Sequence, residues 1–407
     1  MKTTYELLAP AGNFTNLRAA IDGGADAIYF GVKEFNMRAL AKNFEFSDLK
    51  KIKQICDKES PLKKRVKMYV TLNIIVYDNE LAKLESTIKK IKPYVDAVIC
   101  WDMAVIQLCK KHKVPFHIST QASTANSATA KYFKELGAER IVLARELNLE
   151  QVKAIHDKVK IEIECFCHGA MCLSISGRCL MSQFHHKKSA NRGECIQNCR
   201  RPYTIKDDQG HEMKIENNHI LSAKDLCTLP FIEEMKKAGI TSFKIEGRNR
   251  DPRYVKTVTS IYRKALDKKM SDKEIEDSVC ELEKVYNKGL SSGFYKGFPT
   301  SDDFSKVQHS AATEKKVFTG KVKNFLTKLG VCIVVLSGEV KQGNKIVIIG
   351  QTTGVHETTL KKIEMKGQEI ESAQKGDEVA LLFENLPKDG RIRKNDEVYV
   401  LINVEKK

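Results

Sequence analysis

Residues 6–30 read ELLAPAGNFTNLRAAIDGGADAIYF and contain the pattern that decides the fold of this 407-residue chain. An apolar run at 6–9 is followed by a helical pattern at 14–22 and by a second apolar run at 27–30. Nearly continuous apolar runs that alternate with helices are typical of strands in a parallel sheet. The stretch therefore predicts one strand–helix–strand unit.

The same unit repeats along the chain, with further helical patterns at 47–57, 80–91, 127–136 and 149–157. The apolar runs predict eight strands, at 6–9, 27–30, 68–73, 97–100, 117–120, 140–144, 161–165 and 242–245. Eight units fit a closed (β/α)8 barrel of the TIM type. An open doubly wound sheet is the alternative, but no GxGxxG turn follows the first strand.

A second pattern begins near residue 315. Short strands separated by turns are predicted at 317–322, 331–336, 345–349, 357–363, 378–383 and 397–401. They indicate a small C-terminal β-barrel domain at 315–407. We expect an α/β barrel at 1–301, a Cys-rich insertion after strand seven at about 166–218, and a linker at 302–314.

Composition and net charge limit the classes of protein to which the chain can belong. Lys and Arg number 69 against 52 Asp and Glu, so the net charge of +17 favours a polyanionic partner, with nucleic acid first. No run of ~18 apolar residues is present, so a membrane span is not expected. The N-terminus lacks the apolar run of a secretory signal, which predicts a cytoplasmic protein.

Polar residues at the predicted strand ends are candidates for an active site, because barrel enzymes bind substrates at the C-terminal ends of their strands. For substrate binding we select Asn73, Gln121, Arg145, Lys244 and Arg248. Arginine suits this role because it grips carboxylates with two hydrogen bonds. For proton transfer we select Asp102, His168 and Glu246. Asn148, in contrast, is predicted to cap a helix.

Cysteines concentrate after strand seven, where six of the twelve lie at 165–199. Disulfides are not expected in a reducing cytosol, which points to metal or redox chemistry. The best ligand pattern is Cys172, Cys179, Cys195 and Cys199, with Cys227 as a replacement for one of them. Four thiolates suit a 4Fe–4S cluster or a zinc ion. The absence of a tight Cys-x2-Cys knuckle favours the cluster, with zinc as the alternative metal.

The same insertion is basic, with six Lys and Arg residues against one Glu at 172–203. Phe184 and Tyr203 interleave with these charges. Basic and aromatic side chains together suit RNA, whose unstacked bases and phosphates both need partners. The predicted RNA-binding residues are Arg178, Lys187, Lys188, Arg192, Arg200 and Arg201. The alternative is that these arginines neutralise a negatively charged thiolate cluster.

Several motifs resemble those of the U-32 peptidase family, the collagenase-like group. ECFCHGAMC at 164–172 and GRCLMS at 177–182 resemble its diagnostic motif. ELLAPAGN at 6–13, the cysteine pair within 191–200 and KIEGR at 244–248 are similar to its other motifs. The resemblance extends from residue 6 to the C-terminal barrel.

Within that family, length and layout are most similar to the tRNA hydroxylation group. This resemblance implies oxygen-independent formation of 5-hydroxyuridine at the wobble position, with prephenate as the co-substrate and the tRNA anticodon loop as the partner. It also implies a 4Fe–4S cluster on Cys172, Cys179, Cys195 and Cys199.

The family name makes a peptidase the alternative function. Proteolysis needs an activated nucleophile, a carboxylate pair or a metal-bound water, and the chain has neither HExxH nor GxSxG. A non-catalytic RNA-binding module is the second alternative.

Overall fold

The first domain is a barrel whose strands lie where the apolar runs predict them. The computed structural model describes residues 5–39, 42–58, 60–175, 177–213, 217–385 and 391–404. The barrel strands are β1 (Glu6–Pro10), β2 (Ala27–Phe30), β3 (Lys67–Thr71), β4 (Ala97–Cys100), β5 (Phe116–Ile118), β6 (Arg140–Val142), β7 (Glu162–Gly169) and β8 (Ser242–Ile245).

These eight strands are parallel and close on themselves. Each strand pairs with the next, and β8 pairs with both β7 and β1. Ser242 of β8 therefore lies opposite Glu164 on one side and opposite Glu6 on the other. The predicted (β/α)8 barrel is confirmed, and the open doubly wound sheet is excluded because closure leaves neither β1 nor β8 as an edge.

The helices of the first domain lie around the barrel and in the insertion after β7. They are α1 (Phe14–Asp22), α2 (Leu49–Lys58), α3 (Leu81–Ile91), α4 (Met103–Lys111), α5 (Ser127–Glu135), α6 (Leu149–Val159), α7 (Met181–His186), α8 (Ile232–Lys237), α9 (Pro252–Asp267) and α10 (Asp272–Lys284). The predicted cap at Asn148 is confirmed, since its side chain accepts a hydrogen bond from the backbone N–H of Gln151.

Strand β7 is longer than the sequence predicts, so the insertion after it starts later. The prediction ends this strand at residue 165, whereas pairing continues to Gly169. Phe166 pairs with Lys244 of β8, and His168 pairs with Cys227 of a short antiparallel strand, Asp225–Cys227. That strand and its neighbour Leu290–Ser291 are too short to produce an apolar pattern that sequence reading can detect.

The insertion folds over the C-terminal end of the barrel. It contains α7, two single 3-10 turns, and a hairpin of Ile205–Lys206 with Glu212–Met213. Gly193 has a φ of +90°, and a Cβ there would lie 2.5 Å from the carbonyl oxygen of Asn36. Only glycine allows the insertion to approach the loop after β2 this closely.

The second domain is a closed antiparallel barrel, as predicted. Its strands are β9 (Glu314–Leu326), β10 (Val331–Leu336), β11 (Lys345–Gly350), β12 (Gly354–Met365), β13 (Glu378–Phe383) and β14 (Glu397–Asn403). The pairing order is β11-β14-β9-β10-β13-β12, and β12 returns to pair with β11. Short strands at Val340–Lys341, Gln368–Ile370 and Ser372–Ala373 complete the domain.

Ion pairs join the two barrels. Arg253 of α9 contacts Glu314 of β9 and Glu357 of β12, and Arg391 lies 2.9 Å from Asp22 of α1. The predicted linker is also attached to the first barrel, because the backbone N–H of Ser305 donates to the carbonyl of Ser222 at 2.7 Å. None of the described helices has both the length and the apolar character needed to cross a lipid bilayer.

Candidate active site

A cavity of about 250 Å³ opens at the C-terminal end of the first barrel, beneath the insertion. Six residues predicted from the strand ends line it: Asn73, Gln121, Arg145, Lys244, Glu246 and Arg248. The four predicted ligand cysteines, Cys172, Cys179, Cys195 and Cys199, also line it. The fold thus joins in one cavity two sets of residues that lie far apart in the sequence.

Arg145 follows β6 and lines the cavity. Its guanidinium lies 3.6 Å from the centroid of the Phe166 ring, and Nη1 donates to the carbonyl of Ala170 at 2.7 Å. The Nε atom is buried without a hydrogen-bond partner, and no described carboxylate forms an ion pair with this side chain. Burial lowers the pKa of Arg145, although the nearby charge of Glu246 opposes that shift. Such a group is suited to binding a carboxylate on a ligand.

Arg248 follows β8 and is a second buried cation without a described carboxylate partner. Its Nη1 donates to Thr71 Oγ1 of β3 at 2.8 Å. Gly12 permits this position, because a Cβ there would overlap the carbonyl oxygen of Arg248. Burial and then the charge of Arg38 lower the pKa of Arg248 to about 10. An anionic ligand would relieve this unfavourable burial of charge.

Lys244 lines the same cavity but already has an anionic partner. Its Nζ lies 2.7 Å from Glu164 Oε1, and both side chains are buried. Burial lowers the pKa of Lys244 despite the opposing charge of Glu164. Lys244 therefore contributes less free positive charge to a ligand than Arg145 or Arg248.

Glu246 contacts Arg38, a residue that the strand-end pattern does not predict. Arg38 Nη2 lies 3.2 Å from Glu246 Oε1 at the cavity wall. Burial favours the neutral acid, but the charges of Arg38, Arg250 and Arg145 prevail and lower the pKa of Glu246. Arg38 lies eight residues beyond the end of β2. A pattern that considers only residues close to the strand ends therefore does not predict it. A hydrogen bond at 3.1 Å from the N–H of Met37 to Asn73 Oδ1 draws its loop inward.

The structure places Asp102 and His168 outside the cavity lining. The carboxylate of Asp102 caps α4, accepting from the N–H groups of Ala104 at 2.9 Å and Val76 at 3.2 Å. His168 is buried within β7, where its Nδ1 lies 3.4 Å from the hydroxyl of Tyr262. Burial, with the charge of Arg250, lowers the pKa of His168 to about 3, so the ring is neutral. Of the three proton-transfer candidates, the fold brings only Glu246 to the cavity.

The four cysteines that line the cavity are free thiols. Burial raises the pKa of Cys199, the adjacent Arg200 opposes this, and the thiols of Cys172, Cys195 and Cys179 add to the increase. Among the described residues, no group of three or more His, Cys, Asp or Glu side chains is arranged to hold a metal ion. A zinc ion needs all four sulfurs ~2.3 Å from one centre. Four thiols that line one cavity supply the ligand number of a 4Fe–4S cluster or of a zinc ion.

The profile of peptidase family U32 matches residues 12–305. The chain belongs to this family. A "Collagenase" of Porphyromonas gingivalis is 38% identical to this U32 protein over 97% of both chains. The "tRNA hydroxylation protein P1" of Bacillus subtilis is 32% identical over 91% of this chain and 89% of its own length. The Escherichia coli "23S rRNA 5-hydroxycytidine C2501 synthase" is 42% identical over 64% of this chain and 39% of its own length. The relatives' names thus divide between proteolysis and RNA hydroxylation.

In this U32 protein, Arg200 joins two of the cysteine segments instead of facing solvent. It follows Cys199, and its Nη2 donates at 2.7 Å to the carbonyl of Met171, the residue before Cys172. Its Nη1 donates to the carbonyl of Ala223. One guanidinium therefore fixes Cys172 and Cys199 relative to each other and to the barrel.

Arg192 has a similar internal role. Its two terminal nitrogens contact both carboxylate oxygens of Glu80 at 2.6 and 2.7 Å, and Nη1 also donates to the carbonyl of Ile75 at 2.6 Å. This bidentate contact attaches the segment before Cys195 to the loop after β3. Arg192 and Arg200 are thus engaged with protein, although both were predicted to bind RNA.

The other predicted RNA-binding residues lie nearer the surface. Arg178 is stacked over Trp101 at 5.4 Å, and Lys188 lies 3.5 Å from Glu194. Lys187 and Arg201 are exposed, and neither side chain contacts another described residue through a hydrogen bond or ion pair. Some of the six predicted cations thus bind groups from distant parts of the chain, and others remain free to contact a ligand. Their spacing in the sequence does not distinguish the two kinds.

Proposed function

We propose that this U32 protein is a tRNA hydroxylase that converts a wobble uridine to 5-hydroxyuridine without molecular oxygen. Prephenate is the proposed co-substrate, and a 4Fe–4S cluster on the four cavity cysteines is the proposed cofactor. The observation that carries the proposal is the single cavity in which Arg145 and Arg248, cations without described carboxylate partners, face four free thiols. The names of two relatives, one acting on tRNA and one on rRNA, support the reaction class.

The barrel wall is the proposed site for the co-substrate. Prephenate carries two carboxylates, and two guanidinium groups at the wall match them in charge and in hydrogen-bonding geometry. Asn73 and Gln121 add neutral polar groups to the same lining. Glu246 is the one of the three predicted proton-transfer residues that lines this cavity, and because the arginines around it lower its pKa, it would accept a proton only from an acidic donor.

The insertion is the proposed cofactor site. Cys172, Cys179, Cys195 and Cys199 would hold the cluster, with Arg200 and Arg192 fixing their backbone segments. When bound, a cluster of this kind supplies electron transfer or iron-based activation of a substrate. The target base must leave its stack to reach this covered cavity, as in other enzymes that act on bases.

Proteolysis is the second candidate, favoured by the collagenase relative. The neighbouring Cys167 and His168 do not form a nucleophile pair. The Cys167 thiol is buried, donates to the carbonyl of Lys244 at 3.4 Å, and has a pKa raised by burial. His168 is buried with a pKa of about 3 and is a poor base at neutral pH. These two residues therefore give no support to a cysteine peptidase.

Nucleoside mass spectrometry of tRNA tests the proposal. A strain that lacks the gene should lose 5-hydroxyuridine, and the wild-type gene should restore it, whereas an Arg145→Met gene should not. Unchanged 5-hydroxyuridine in a strain without a redundant enzyme would refute the proposal. Salt-sensitive tRNA binding with no change in any nucleoside would indicate a non-catalytic RNA-binding module instead.

Two measurements on purified protein test the cofactor and the peptidase alternative. Protein prepared anaerobically should contain iron and acid-labile sulfide in about equal amounts, and Cys195→Ser should lose both. One tightly bound zinc per chain, without sulfide, would contradict the cluster. Cleavage of gelatin that disappears on a single substitution in the cavity would favour the peptidase.

A further inference from the structure

Helix α7 carries an aromatic side chain that the protein leaves in water. Phe184 is 83% exposed, and Leu180, one turn earlier, is 52% exposed. The N–H of Phe184 donates to the carbonyl of Leu180 at 3.0 Å, so the two side chains lie near one another on the surface. Large apolar groups exposed together usually mark a binding surface.

The opposite side of this short helix belongs to the cavity. Met181 and Ser182 line the cavity, and Ser182 is buried. Ser182 and Phe184 are two residues apart, so they lie on opposite sides of a helix that is about 10–12 Å across. An RNA loop that contacts Phe184 therefore passes within about one helix diameter of the cavity.

The charge around Phe184 is positive. Lys187 is exposed without a described partner, Lys188 follows it and lies 3.5 Å from Glu194, and the ring centroids of His185 and His186 are 6.3 Å apart. Phosphate groups complement this charge, and an aromatic face complements an unstacked base. A purely apolar partner would leave Lys187 without a counter-charge, so the combination favours single-stranded RNA.

We propose that Phe184 is a stacking platform for an unpaired nucleotide of the RNA loop, next to the nucleotide whose base enters the cavity. This inference rests on the proposed function and names the surface that holds the substrate. Lys187 would contact a phosphate of the same loop. Stacking on Phe184 would compensate for the stacking that the loop loses when the target base turns out.

Fluorescence of 2-aminopurine, placed at successive positions of an anticodon stem-loop RNA, tests the platform. The wild-type chain should alter the signal most at one position adjacent to the target uridine. Phe184→Ala should abolish that change and weaken RNA binding by roughly 5- to 100-fold. Phe184→Trp keeps an aromatic face and should retain both properties. Tyr132→Ala removes an aromatic ring that is 53% exposed on α5, and it should bind RNA like the wild type.

The outcomes separate this inference from the proposed function. Wild-type affinity and signal in Phe184→Ala, in a protein that still hydroxylates tRNA, would overturn the platform alone. An equal loss of affinity in Tyr132→Ala would also overturn it, because the effect would not be specific to α7. Failure of the wild-type protein to bind or modify any tRNA would instead refute the proposed function.

Discussion

The two ends of the first barrel each enclose a cavity of about 250 Å³, but they treat buried cations differently. At the N-terminal end, Arg140 forms ion pairs with Glu6, Glu162 and Glu164. At the C-terminal end, Arg145 and Arg248 have no described carboxylate partner. The protein itself neutralises the charge of Arg140, whereas the charges of Arg145 and Arg248 remain for a ligand.

The pKa shifts follow this difference. Burial disfavours the charge of Arg140, but Glu6 and Glu164 outweigh burial and raise its pKa. Burial lowers the pKa of Arg248 to about 10 because no carboxylate compensates as strongly. A protein that keeps such a charge in its interior forgoes stability, and groups perturbed in this way concentrate at functional sites. The N-terminal end of a barrel, in contrast, is where charge networks serve stability.

Glu164 is the point at which the two ends meet, since it contacts both Arg140 and Lys244. Glu164→Gln should lower the free energy of unfolding by about 3–5 kcal/mol, because it leaves two buried cations short of a counter-charge. Urea denaturation measures this loss.

The matched control is Glu162→Gln, which removes a carboxylate from the same arginine. Its side chain is 56% exposed, so the loss should be about 0–1 kcal/mol. Equal losses in the two variants would show that the buried network does not serve stability as the comparison requires.

Substitutions of the buried cations at the C-terminal end should change the activity of the protein and not its stability. Arg145→Met should reduce tRNA hydroxylation by about 10²–10³-fold, the usual effect of removing one positioned donor from a site. Thermal stability should be unchanged or higher, because the variant removes a poorly compensated charge. Arg145→Lys keeps the charge without the two-pronged geometry and should recover only part of the activity. Unfolding of Arg145→Met at a clearly lower temperature would contradict a ligand-binding role.

Acidification should reduce the contribution that the ion pairs of the N-terminal end make to the free energy of unfolding. Burial alone would raise the pKa of Glu6, but Arg140, Lys67 and a hydrogen bond from Tyr69 lower it from 4.5 to about 2. A carboxyl with a lowered pKa stabilises the fold above its unfolded pKa, and this contribution disappears as the pH falls towards 2. Glu6→Gln should therefore cost up to about 3 kcal/mol at pH 7.

The pH dependence of the unfolding free energy distinguishes a role of the Glu6 charge from a general packing effect. The difference in unfolding free energy between wild type and Glu6→Gln should narrow as the pH falls from 4.5 to 2. A constant difference across that range would mean that Glu6 acts through packing and not through its charge.

Sequence patterns predict the strands of both barrels well, because apolar period and turn residues are local signals. They also locate Arg145 and Glu246, since residues that directly follow a barrel strand must reach the same end. They miss Arg38, whose loop is drawn inward by Asn73 and by the close approach of Gly193. The spacing of neighbouring residues in the sequence does not predict such long-range contacts.

The same limit explains the six basic residues of the insertion. Glu80 lies more than a hundred residues before Arg192, and the carbonyl that holds Arg200 belongs to Met171. Charge counting treats all six cations alike, whereas the fold assigns two of them to the cysteine segments. It also leaves Lys187 and Arg201 with side chains directed to solvent.

The smallest expected effect is on RNA binding when single exposed cations are removed from the two ends of the first barrel. Lys187→Ala and Arg201→Ala should each weaken RNA binding severalfold and reduce the slope of log affinity against log salt by about 0.7, the value for one single-strand phosphate contact. Lys64→Ala is the control, because Lys64 is also a surface cation but lies at the N-terminal end in an ion pair with Asp26. Its salt slope should equal that of the wild type. Titration of RNA at several salt concentrations measures all three slopes. An equal reduction in Lys64→Ala would show that RNA responds to the overall positive charge of the chain and not to the basic residues of the insertion.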